Sequence, residues 1–242
     1  MPQHIFIQKS VFFPENGILA VGDLHLGYEH SLRESGILIP ETQLEDIINN
    51  LKSIIETIKK KNYELKKIVF LGDLKHYFSY EKKEKDYINK IFEFLKNYVR
   101  DSDIILIKGN HDKFDFAGKK MKNYYFSNGI MFFHGHMSFP QILDEKVKTW
   151  VIGHLHPSVF LSDKANIKRE KYKCFLTGKY NEKEVIIAPS FFGMIEGTPV
   201  NEEYYENEKE FSVIPHNYFK NFEVNAINDD GEVFDFGKVK NL

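Results

Sequence analysis

Apolar positions along this chain follow two alternating patterns. Short unbroken runs, from Gly17 to Val21, Lys67 to Leu71, Asp103 to Ile107, Ile130 to Phe133 and Thr149 to Ile152, each give way within two residues to Gly or His. Runs this short and this apolar predict strands buried on both faces. Between the first two runs, Leu44, Ile47, Ile48, Leu51, Ile54, Ile55 and Ile58 recur at helical spacing within Glu41 to Lys61, with Pro40 suited to the start. A second stripe, Ile88, Ile91, Phe92, Leu95 and Val99, lies between the second and third runs, and Asp101-Ser102-Asp103 ends it. Strand, helix, strand, helix, strand predicts right-handed parallel crossovers, hence an α/β sheet in the first half.

Beyond Tyr124 the helical period disappears. Lys173 to Thr177 and Glu184 to Ala188, on either side of Gly178-Lys179-Tyr180-Asn181, predict an antiparallel hairpin. The acidic stretch from Glu202 to Glu210 reads as a loop or surface helix. With no internal repeat and no Pro/Gly/Ser linker, the 242 residues are expected to form one domain, a β core in two layers clad in helices.

Chemistry gathers at the predicted strand ends. Five strings stand there: Asp23-Leu24-His25, Gly72-Asp73-Leu74-Lys75-His76, Gly109-Asn110-His111-Asp112, His134-Gly135-His136 and Gly153-His154-Leu155-His156. They hold seven of the chain's ten histidines, which residues serving only as surface or core would not do. Side chains just past the carboxyl ends of neighbouring strands converge on one crevice, so these strings predict a shared site. Carboxylate, imidazole and Asn carbonyl together suit borderline metals, and two ions about 3.5–4 Å apart can acidify a shared water and hold phosphoryl oxygens. The glycines in and beside the strings let the backbone come close to such a centre.

Composition narrows the partners more than the fold. One cysteine, Cys174, excludes an intramolecular disulfide and a thiolate cluster. The chain starts without a basic segment leading into an apolar one and nowhere has 18 apolar residues in a row, so an intracellular, cytoplasmic protein without signal peptide or membrane span is expected. A net charge of −2 does not advertise nucleic-acid binding. The lysine groups Lys59-Lys60-Lys61, Lys66-Lys67, Lys82-Lys83 with Lys85 and Lys119-Lys120 with Lys122 read as a solvated face. The aromatics Tyr124-Tyr125-Phe126 and Phe191-Phe192 read as packing, the latter pair close to the predicted site.

The ordered set DxH, GD, GNHD, HG, GHxH, from Gly17 to about Ser190, resembles the calcineurin-like metallophosphoesterase superfamily. Asp23-Leu24-His25-Leu26-Gly27, followed by Arg33, Gly36 and Pro40, is similar to its small prokaryotic SbcD-related and DNA-ligase-associated branch. The resemblance implies a four-layered α/β/β/α sandwich whose metal-bridging hydroxide attacks a phosphate ester, preferably a diester, with nucleic acid or a nucleotide as candidate substrate. It gives one ion to Asp23, His25, Asp73 and His156, and the other to Asp73, Asn110, His134 and His154. Manganese is the expected metal, with iron, zinc or cobalt also fitting these ligands. His111 would steady developing charge or protonate the leaving oxygen, and Asp112 would orient it. His76 reads as a contact to ligand or substrate or as a residue at a helix start, His136 as at most a contact to ligand or substrate, and Arg33 as a phosphate contact or a surface charge. Two other readings stay open: a phosphomonoesterase for a small metabolite or phosphoprotein, and a non-catalytic metal-binding scaffold.

Overall fold

The computed structural model describes residues 3–77, 82–112, 118–162, 168–202 and 212–242; the acidic stretch from residue 203 onward lies outside them. In chain order the elements are β1 (Ile5–Ile7), β2 (Ser10–Phe13), β3 (Ile18–Val21), α1 (Tyr28–Glu34), α2 (Gln43–Lys60), β4 (Lys67–Phe70), α3 (Lys82–Leu95) and β5 (Ile104–Leu106). Then follow β6 (Tyr124–Ser127), β7 (Ile130–Phe133), β8 (Thr149–Ile152), β9 (Pro157–Ser162), β10 (Arg169–Tyr180), β11 (Lys183–Ile187), β12 (Thr198–Pro199), β13 (Glu223–Ile227) and β14 (Val233–Lys238).

Two sheets result. The first has the order β1-β2-β3-β4-β5, and its β3, β4 and β5 run parallel, as the crossover pattern requires. The second has nine strands in the order β12-β9-β10-β11-β8-β7-β6, with β13 and β14 attached at β10. The unbroken apolar runs are explained by burial on both sides, because the side chains of a strand alternate between faces. Ile18, Ala20 and Val69 face the layer between the sheets, where they meet Phe132, Val151, Phe175 and Ile186. Their neighbours Leu19, Val21, Ile68 and Phe70 face outward, onto Ile47, Leu51 and Ile54 of α2 and Ile88, Ile91 and Leu95 of α3. The outer face of the second sheet is covered in its turn, by Ile142, Ile214, Phe219 and Val239 among others.

Several details depart from the sequence expectation. The cover over the second sheet is built from the 3-10 segments Pro140–Leu143, His216–Asn221 and Val239–Asn241 instead of long helices. Helix α2 starts at Gln43, not beside Pro40; Glu45 and Asp46 in its first turn and Lys59 and Lys60 in its last complement its dipole. Helix α3 stops at Leu95, short of Val99, whose N–H still reaches the Leu95 carbonyl at 3.1 Å. The hairpin turn lies one step later than expected. Gly178, Lys179 and Tyr180 are strand, and the two-residue loop is Asn181-Glu182, with φ of 48° and 61°. Both loop residues are therefore left-handed, as a type I′ turn demands. No helix among the described residues is long and apolar enough to cross a membrane.

Parallel pairing sets the site. β3, β4 and β5 end on the same edge of the first sheet, and β7 and β8, also parallel, end together in the second. The ends of the two sheets are tied to each other: His134 Nδ1 donates to the Leu71 carbonyl at 2.8 Å, and the Phe191 N–H donates to the Asp23 carbonyl at 3.0 Å.

Candidate metal centre

The loops after β3, β4, β5, β7 and β8 bring all five strings together. Asp23 is fully buried, and its two carboxylate oxygens accept the His154 N–H at 3.2 Å each. Around it, His25 Nε2 and His156 Nε2 stand 3.3 Å apart, and His156 Nε2 is 3.3 Å from Asp23 Oδ1. Asp73 forms the next group, its Oδ2 at 3.3 Å from His134 Nε2 and 3.8 Å from His25 Nε2. Asn110 Oδ1 is 3.0 Å from the same His134 nitrogen. Two triads, Asp23–His25–His156 and Asp73–His134–His154, thus each present three donor atoms within 4.8 Å of one another.

These separations fit a metal. Bonds of about 2.0–2.1 Å in a tetrahedron place donor atoms roughly 3.3–3.4 Å apart. Two imidazole nitrogens and a carboxylate oxygen at that spacing repel or compete unless a cation lies among them. The rings are preset for it as well: His134 uses Nδ1–H on the Leu71 carbonyl, leaving Nε2 toward Asp73 and Asn110. Electrostatics point the same way. Burial would raise the Asp23 carboxyl, but His156, His134 and His25 hold it well below the usual carboxylate range. Burial opposes charge on His134, yet Asp73 and Asp23 push it up to about 9. The pocket therefore draws a positive charge to these atoms, and a proton and a metal ion compete for the place.

Backbone strain is concentrated at the same residues. His25, Asp73, His154 and His156 all have left-handed φ, between 43° and 67°. For residues with a Cβ this costs about 1–2 kcal/mol each, which the surrounding loops must overcome. Glycine solves the remaining close approach. A Cβ on Gly109 would lie 2.1 Å from Asp73 Oδ1 and 2.3 Å from the Asp73 nitrogen. Gly109→Ala is expected to lower metal affinity at least tenfold and stability by about 1–3 kcal/mol. Calorimetric metal titration and thermal unfolding would check it; unchanged values for both would contradict this account.

The remaining sequence candidates take distinct places. His111 donates Nδ1–H to the His76 carbonyl at 2.6 Å, and its Nε2 lies 4.0 Å from Asp73 Oδ2. Asp112, expected to orient His111, does something else. Its Oδ2 accepts the N–H groups of Gly109 at 3.0 Å and Leu74 at 3.3 Å, tying the β5 loop to the β4 loop. Burial and Asp73 push that carboxyl up to about 6. His76 holds His111 through its backbone, while its ring packs nearly parallel to His111 and edge-on to Tyr28 at 4.9 Å. His136 stands beside two of the predicted ligands. Gly135, with φ of 108°, breaks the extension, and the His136 ring comes 5.1 Å from His134 and 5.9 Å from His154. Burial and His134 push its pKa down to about 4. Arg33 pairs with Glu41 at 3.2 Å, as its surface reading allows. Lys83 and Lys119 are likewise engaged, with Glu41 and Asp101.

A supporting layer escaped the sequence reading. Gln43 is 1 % exposed; its amide donates to the His25 carbonyl at 2.8 Å and accepts the Gly27 N–H at 3.0 Å. Glu84, also 1 % exposed, accepts the N–H groups of His76 and Tyr77. Lys173 donates to the carbonyls of Ser190 and Phe192, and Ser190 Oγ in turn donates to the Asp23 carbonyl. A signal was available for two of these. Gln43 and Glu84 precede Ile47 and Ile88 by four residues, so each is a polar letter on an apolar stripe.

The profile of the family described as calcineurin-like phosphoesterase matches residues 17–227. The chain belongs to that family, and so to the metal-dependent hydrolases. Among solved structures it is similar to the nuclease MPE of Pseudomonas putida, at 16% identity and a TM-score of 0.59, over 96% of this chain and 94% of that one. It also matches a conserved uncharacterized protein from Streptococcus pneumoniae, described as a predicted phosphoesterase, at 14% identity and a TM-score of 0.35, over 90% of this chain and 91% of that one. A zinc-complexed Vps29 from Entamoeba histolytica matches at 16% identity and a TM-score of 0.38, over 90% of this chain and 96% of that one. No curated protein matches the chain.

Proposed function

We propose that this chain hydrolyses phosphate diesters with two metal ions. Asp23, His25 and His156, with Asp73, would hold one ion, and Asp73, Asn110, His134 and His154 the other. The observation that carries the proposal is the pair of adjoining triads, with Asp73 Oδ2 of one 3.8 Å from His25 Nε2 of the other, in a member of a phosphoesterase family. When bound, the ions supply an acidified water and positive charge for the phosphoryl oxygens. The protein groups do the rest. Asp73 keeps the two halves in register, and Asp112 fixes the loop carrying Asn110 and His111. His111, its Nδ1 committed to the His76 carbonyl, presents Nε2 to the substrate side. Manganese is the proposed metal.

Support for a nucleotide or nucleic-acid diester comes from the similarity of the first string to SbcD-related proteins. The likeness of fold to a nuclease adds to it. The test is metal analysis followed by turnover of a monoester, a linear diester, a cyclic nucleotide and single-stranded DNA. About two ions per chain are expected, with activity lost to a chelator, restored by manganese, and highest on a diester. Zero stoichiometry with metal supplied would overturn the proposal; a preference for the monoester would leave the centre and move the substrate.

A further inference from the structure

A cavity of about 330 Å³ opens between the loop after β5 and the loop after β7. Its inner end is Asn110 and His134, two of the residues proposed above to hold an ion. Further out are His136, Lys108, Asn123 and the side chains of Met137 and Phe139. None of these outer groups is needed to bind metal or to move a proton at the phosphate. From their chemistry and position we infer that the cavity is a subsite for one nucleoside-sized arm of the substrate, recognised as a flat polar-edged ring next to an additional negative charge. The inference rests on the phosphoesterase reading and deepens it.

The walls support that occupant. Phe139 is held in place, stacked on Tyr124 at 5.3 Å and edge-on to Phe133 at 5.7 Å, so it offers a fixed apolar face. Met137 is 47 % exposed at the opening, a soft side chain able to adapt to a ring. His136 Nδ1 is buried with no hydrogen-bond partner among the described residues. A buried polar atom of that kind is costly unless something meets it, and a ring edge carrying a donor or acceptor does. Lys108 and Asn123 are exposed, and supply a cation and an amide at the outer end. Size sets the limit. The volume is at the lower end of the roughly 300–1,000 Å³ usual for ligand pockets, which suits one nucleoside and not a stretch of strand. A phosphomonoester of a small alcohol would leave all of these groups unused.

The experiment compares two diesters with the same 4-nitrophenyl leaving group, one bearing a methyl group and the other a thymidine 3′-phosphate through its 5′ oxygen. The native protein, loaded with manganese, is expected to turn over the thymidine diester with a kcat/KM about tenfold higher. In Lys108→Gln and in Phe139→Ala that ratio should fall toward one. Lys108 is exposed, so its variant remains informative if Phe139→Ala folds poorly. A second measurement uses calorimetry, with thymidine 3′,5′-bisphosphate binding more tightly than inorganic phosphate to the native protein and losing that advantage in both variants. Equal turnover of the two diesters by the native protein, or an equal loss for both in the variants, would overturn the subsite while leaving the phosphoesterase reading intact. No turnover of either ester would be the failure of that reading, and would take the subsite with it.

Discussion

Asp73→Ala is expected to release both metal ions at once and to lower turnover more than about 10³-fold. One oxygen is responsible. Asp73 Oδ2 stands 3.3 Å from His134 Nε2, 3.8 Å from His25 Nε2 and 4.0 Å from His111 Nε2. It is thus the point where the two triads and the candidate proton donor meet. Without it, Asp23 is the one carboxylate left in the two triads, and the imidazoles lose the anion that holds them around a cation. A control separates charge from shape. Asp73→Asn keeps the volume and can keep the bond that Asp73 Oδ1 accepts from the His111 N–H at 2.9 Å, but it removes the charge. Metal analysis on both variants should give the same loss. If Asp73→Ala retained the native stoichiometry at saturating metal, Asp73 would not bridge the centre. If it lost one ion and kept the other, the carboxylate would belong to a single position.

The parts of this site that sequence makes legible are those written in rare letters at fixed places. An Asp or His directly past an apolar run is visible because the run predicts a strand and the strand end predicts the crevice, as at Asp23, Asp73, His134 and His154. Parallel order in the first sheet follows from two long amphipathic stripes between three runs. What sequence hides is direction. That His111 is held by the backbone of His76 depends on a carbonyl, which every residue has and no letter marks. Asp112 follows His111 in the chain, yet it bonds amides from two different loops. His136 comes to stand beside His134 for reasons the letters do carry, since residues two apart on extended backbone share a face and Gly135 between them lets the chain turn. Gln43 and Glu84 were legible in principle, since a polar residue in register with buried isoleucines must find partners inside. The 3-10 cover of the second sheet has too short a period to stand out in an apolar pattern.

His111→Ala is expected to keep both ions and to lose roughly 10²–10⁴-fold in turnover, the scale of a general acid or base. The geometry favours a group held in one orientation. Its Nδ1–H is committed to the His76 carbonyl at 2.6 Å, the ring stands edge-on to His25 at 5.1 Å, and the side chain is 18 % exposed. A ring fixed at one nitrogen presents the other in a constant direction, which proton transfer requires. The same geometry leaves two competing roles to be distinguished. With His25 and Asp73, His111 also forms a third possible donor set, in which case the variant would lose metal along with activity. If His111 protonates the leaving oxygen, its removal should matter greatly for a diester with an alkoxide leaving group and little for one releasing 4-nitrophenolate, which departs without a proton. If it steadies charge on the phosphoryl group instead, both esters should suffer alike. Turnover of the two esters by metal-replete His111→Ala therefore decides the assignment, with a loss confined to the alkoxide ester as the result expected here.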